Sequence, residues 1–121
     1  MKKEVIQFSA FSMMEPDTVE LLKENKGQVI SPNKKKIIDL PDHKILTFWD
    51  KVEEIGAWNW SKKYPVKEPE LEQLTDGYNW ELKLRNRNGK AKRCKGYMSF
   101  PRKFKDLIKE LNNLFSSNIN F

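Results

Sequence analysis

A chain of 121 residues is about one domain's worth, enough for a two-layer core and too short for two ordinary domains. Only 38% of it is hydrophobic, so four Trp, three Tyr and seven Phe must supply much of the buried area at few positions. The single cysteine, Cys94, excludes an intramolecular disulfide and cysteine-rich zinc sites.

The formal net charge of +6 is unevenly placed. Residues 1–60 hold nine Lys/Arg against ten Asp/Glu, whereas residues 61–121 hold fourteen against seven. Between Glu81 and Asp106 stand ten basic residues and no acidic one. A field of one sign attracts polyanions whatever fold lies beneath it. The first sixteen residues lack the apolar core of a leader peptide. No run approaches the roughly 20 apolar residues that cross a bilayer. The expected setting is a reducing cytoplasm, with no membrane partner.

In chain order, residues 4–13 alternate Ile6, Phe8 and Ala10 against polar neighbours, which suits a first strand near a sheet edge, ended by Pro16. Residues 17–27 read as a helix capped by Asp17 or Thr18, or as a strand with a turn at residues 25–27. The helix would have only about two turns, so the strand is preferred. Residues 31–36, with Lys34, Lys35 and Lys36, read as a loop or an irregular strand entry, the lysines most simply as a solvated loop, followed by a short apolar run closed by Pro41.

Residues 42–55 form a helix in this reading, because Ile45, Phe48, Trp49, Val52 and Ile55 recur at helical spacing and Gly56 follows as a stop. His43, at its solvent-facing start, reads as an exposed structural residue. The next twenty residues or so form a long connection with two prolines. Trp58, Trp60 and Tyr64 are read as its core anchors, and the sharper alternative is a base-stacking platform beside Lys62 and Lys63.

From Tyr78 the even positions, Tyr78, Trp80, Leu82 and Leu84, are apolar and the odd ones polar. Asn88 and Gly89 are the strongest hairpin signal in the chain. A two-residue loop would set Leu84 opposite Arg93 and Leu82 opposite Lys95, bringing charge onto the core face. A three-residue loop over residues 87–89 instead pairs Leu84 with Lys92, Leu82 with Cys94, Trp80 with Gly96 and Tyr78 with Met98. The outer face then sets Lys83 against Arg93 and Glu81 against Lys95. Like charges placed opposite one another cost stability, so the clustering points to an anionic partner. Pro101 is expected to open a second helix with Phe104, Leu107, Ile108, Leu111, Leu114 and Phe115 as its apolar stripe. Its first turns would place Arg102, Lys103 and Lys105 at a helix end that attracts anions. Residues 116–121 are expected to fray.

The run Trp58…Tyr64…Asp76-Gly77-x-x-Trp80-x-Leu82…Gly96…Pro101-x-x-Phe104 resembles a pattern found in small uncharacterised bacterial proteins, W…Y…DGxxWxL…G…YPxxF. The resemblance covers roughly the second half of the chain. It implies an α+β domain of strands, helix, hairpin and helix, and carries no known activity. Those proteins tend to have Asn where this chain has Met98, and Tyr where it has Phe100.

The sequence contains no phosphate-binding glycine loop, dinucleotide fingerprint, zinc spacing or nucleophile elbow. Asp76 reads as a turn aspartate rather than a catalytic acid. No cofactor, metal site or catalytic residue is implied.

The expected fold is a single α+β domain over residues 1–115. It has a mostly antiparallel sheet of about four to five strands in the order ββ(β)-α-ββ-α, with two helices on one face. The expected function is that of a small non-enzymatic binding protein whose basic hairpin face engages an acidic partner, either a protein surface or nucleic acid. Size suits an inhibitor or immunity-type protein of a bacterium or mobile element. The candidate partner-binding residues are Lys83, Arg85, Arg87, Lys90, Arg93, Lys95, Arg102, Lys103 and Lys105. The alternative is a nucleic-acid-binding protein using the hairpin and exposed aromatics. The third reading is an enzyme with scattered carboxylates.

Overall fold

The structure, a computed structural model, describes residues 4–12, 15–31, 34–64, 79–97, 99–117 and 119. Among the described residues the strands are β1 (Val5–Ser12), β2 (Glu15–Leu22), β3 (Lys26–Ser31), β4 (Lys34–Asp39), β5 (Lys63–Tyr64), β6 (Asn79–Arg85) and β7 (Ala91–Tyr97). The helices are α1 (Asp42–Ile55) and α2 (Phe104–Phe115). All seven strands join one sheet in the order β4-β3-β2-β1-β6-β7-β5, antiparallel except where β5 runs parallel to β7. The α+β class with a mostly antiparallel sheet is as expected. The strand count and order are not, because four strands rather than two or three precede α1.

Three strand assignments change. β1 is the central strand rather than one near an edge, hydrogen-bonded to β2 on one side and β6 on the other. The lysine triplet lies in the edge strand β4, not in a loop. The break within residues 17–27 falls at residues 23–25, where Glu24 and Asn25 adopt positive φ. Pro16 lies inside β2, and Gly27 lies in β3 beneath Leu40 and Phe115 instead of forming the turn.

One sheet face carries Ile6, Phe8, Ala10, Val19, Leu21, Trp80, Leu82, Leu84 and Cys94, all buried. Against it pack Ile45, Phe48, Trp49 and Val52 of α1, with the six stripe residues of α2, in one continuous core. Period-2 alternation in the strands and helical spacing in α1 and α2 therefore meet on the same side. Gly56 ends α1 at φ 83°, its N–H bonded to the carbonyls of Val52 and Glu53 at 3.1 Å each. α2 begins at Phe104, not at Pro101, so Arg102 and Lys103 precede the helix. The Phe104 N–H bonds the Pro101 carbonyl at 3.1 Å, and the Phe100 and Phe104 rings pack 5.0 Å apart. These contacts hold a turn ahead of the helix.

The segment expected to fray is tied down at Ile119, which is buried. Asn112 accepts the Ile119 N–H at 2.8 Å and donates to its carbonyl at 3.2 Å.

The hairpin register is the three-residue-loop solution: Leu84 opposite Lys92, Leu82 opposite Cys94, Trp80 opposite Gly96 and Lys83 opposite Arg93. Asn86 organises the turn by accepting the Asn88 and Lys90 N–H groups at 3.0 and 2.9 Å, and Gly89 supplies φ 87°. The expected Tyr78 and Met98 pair lies outside the described residues, as do Asp76 and Gly77.

Candidate interaction face

Opposite the core, the sheet presents a second face that neither helix covers. It is built by the alternate residues of the strands, and its register across β1, β6, β7 and β5 defines rows. Val5, Arg85 and Ala91 form one row, and Gln7, Lys83 and Arg93 the next. Ser9, Glu81, Lys95 and Lys63 form a third, and Phe11, Asn79 and Tyr97 a fourth. Cations thus occupy three successive rows, and two aromatics close the series. Strand geometry separates same-face neighbours by about 6.6 Å along a strand and adjacent strands by about 4.8 Å.

Arg93 and Lys95 are exposed and make no ion pair among the described residues. Lys83 is half-buried and sits 3.4 Å from Glu81, which relieves part of its repulsion with Arg93. Arg85 is half-buried on the same face. Phe11 is 54% exposed, an unusual position for a phenylalanine on a central strand. Phe11, Tyr97, Asn79, Lys63 and Lys95 border a shallow groove of about 330 Å³.

The other expected cations are placed elsewhere. Arg87, at the hairpin tip, is exposed and also ties the tip to other parts of the fold. Its Nη1 donates to Asp42 Oδ2 at 3.3 Å, its Nη2 donates to Asp42 Oδ1, and its Nε donates to Glu4 Oε2 at 3.2 Å. Glu4 Oε2 also accepts the Trp49 indole N–H at 2.5 Å. The bond to Asp42 raises the Arg87 pKa above its ordinary value, and the same bond holds the Asp42 carboxyl below the usual carboxylate range. Lys90 is likewise engaged, 3.6 Å from Glu53 and 5.2 Å above the Trp58 ring. Arg102, Lys103 and Lys105 are exposed in the helix layer. Lys103 borders a cleft of about 280 Å³ together with Lys51, Glu54, Asp106 and Glu110.

The three connection aromatics act as anchors. Trp60 is buried, its ring 6.3 Å from Phe104. Trp58 stacks on Trp49 at 6.0 Å with an interplanar angle of 17°. Tyr64 accepts the Ser61 N–H at 3.0 Å and packs 6.1 Å from Trp80. Residues 65–77 of that connection lie outside the described residues. Cys94 is fully buried, and burial pushes its thiol pKa up, the opposite of what a reactive thiolate needs.

Comparison with protein-family models, curated proteins and solved structures found no match. Among the described residues no helix is long and apolar enough to cross a membrane. No group of three or more His, Cys, Asp or Glu among them is placed to hold a metal ion.

Sequence reasoning missed Phe11 and Tyr97, and named Lys63 only beside the connection aromatics. The first two were available from strand parity, since Phe11 falls in phase with Ser9, and Tyr97 with Arg93 and Lys95. Lys63 gave no such signal, because its place beside Lys95 depends on a two-residue parallel pairing.

Proposed function

We propose that this chain is a small non-enzymatic binding protein whose uncovered sheet face engages an acidic macromolecular partner. The supporting observation is the register of that face, which brings Lys83, Arg85, Arg93 and Lys95 onto neighbouring positions of two paired strands. Cross-strand like-charge pairs cost a few tenths of a kcal/mol or more, and an anionic partner offsets that cost when it binds. Inhibition of an acidic protein, as in an inhibitor or immunity-type protein, is one form this function takes.

The test compares two double variants with equal change in net charge. Arg93→Glu with Lys95→Glu alters the sheet face, and Arg102→Glu with Lys105→Glu alters the helix layer. On an immobilised polyanion such as heparin, the sheet-face variant is expected to elute at clearly lower salt than the helix-layer variant. Equal elution of the two variants would show that retention follows net charge alone and would remove the face from consideration.

A further inference from the structure

We infer that the acidic partner of the sheet face is a single-stranded nucleic acid, with bases stacked on Phe11 and Tyr97 and phosphates held by Arg93, Lys95 and Lys83. The inference rests on the proposed binding role of this face and names the chemistry of its partner.

Charge alone suits any polyanion, so the choice depends on what stands beside the charge. Phe11 is 54% exposed at a central-strand position where a polar residue would cost nothing. Tyr97 occupies the same cross-strand row two strands away, with Asn79 between them. Two strand spacings separate their backbones by about 9–10 Å, room for two rings to take separate bases. The next row holds Lys95, and the one beyond it holds Lys83 and Arg93. A cationic track running beside aromatic platforms is how sequence-tolerant single-strand binding is built, because every base has a π-face and every nucleotide a phosphate. Open sheets with aromatics on the uncovered face hold single-stranded RNA on the same principle. An acidic peptide would use the lysines and leave Phe11 without a role. A duplex keeps its bases within the stack, away from both rings.

Among the described residues of these rows Glu81 is the one carboxylate, 3.4 Å from Lys83. It repels phosphate in the row it shares with Lys95, so Glu81→Gln is expected to tighten binding.

The experiment measures fluorescence anisotropy of labelled single-stranded RNA and DNA oligomers of mixed sequence. A duplex of the same sequence and polyglutamate serve as competitors, and titrations span a salt series. Single strands are expected to bind with affinity that falls steeply with salt and to compete better than the duplex or polyglutamate. Stacking on an aromatic is worth roughly 1–3 kcal/mol per base. Phe11→Ala is therefore expected to weaken binding by about five-fold or more, while Phe11→Tyr retains it. Because Phe11 is largely exposed, Phe11→Ala is expected to melt like the parent, which separates lost stacking from lost fold.

If Phe11→Ala and Tyr97→Ala both bind single strands as the parent does while the Arg93 and Lys95 reversal abolishes binding, stacking is overturned and the basic-face function stands. If polyglutamate binds and oligomers do not, the nucleic-acid assignment is overturned in favour of an acidic protein. If no polyanion binds, the proposed function fails with it.

Discussion

A methyl group on Gly96 would stand 2.7 Å from the Ser99 carbonyl oxygen and closer still to the indole nitrogen of Trp80. That indole lies across the glycine and donates to the same carbonyl at 2.9 Å, so both neighbours of the missing side chain are fixed. Trp80 is in turn held by Phe104, whose ring lies 4.7 Å from it. Overpacking a tight core site costs about 1–3 kcal/mol. Gly96→Ala is expected to lower the unfolding free energy by that order, read from denaturant titrations. Combining it with Trp80→Phe, which removes the crowded nitrogen, should give less destabilisation than the sum of the two single changes. Additive losses in the double-mutant cycle would show that the two residues do not share this contact.

Where elements meet, the decisive contact is the hairpin tip on the start of α1. Arg87 joins the β6–β7 turn to Asp42 at the helix N-terminus and, through Glu4, to β1 and Trp49. Asp42 also favours the positive end of the helix dipole. Its pKa is lowered in the fold by the bond to Arg87. A carboxylate with a lowered folded pKa contributes stability above its ordinary value, here 3.8, and loses it as pH falls through the folded value. The stability difference between the parent and Asp42→Asn is therefore expected to be full at neutral pH and to shrink below about pH 3.8. A difference that stays constant down to strongly acid pH in urea titrations would refute the linkage.

The same elements show what could be read from the sequence. The hairpin register followed from parity alone, because only one loop length keeps Leu82 and Leu84 away from Arg93 and Lys95. Both apolar helix stripes followed from spacing. The central place of β1 did not, since its partner β6 lies far along the chain, with Phe11 paired to Asn79 and Val5 to Arg85, and local pattern carries no pairing information. The two carboxylates that hold Arg87 were hidden for the same reason, as both come from distant parts of the chain.

For the molecule as a whole, a seven-stranded open sheet has one face that neither helix covers and two edges to protect. One edge is β5, which spans Lys63–Tyr64 among the described residues. The other is β4, six residues long, with Ile37 58% exposed. This edge carries Lys34, Lys35 and Lys36 in succession, opposite Ser31, Ile30 and Val29 of β3. Consecutive lysines on an edge strand oppose strand addition, because a second copy would bring the same charges into register. Placed there, the triplet reads as edge protection and not as part of the proposed binding face, which begins several strands away. Replacing Lys34 and Lys36 with Val is expected to leave the core intact and to promote self-association. Sedimentation velocity should then show a concentration-dependent rise in the sedimentation coefficient that the parent lacks. The corresponding Lys→Glu pair, which keeps the edge charged, should behave as the parent does. If the valine variant sediments like the parent at every concentration, the lysines do not protect this edge.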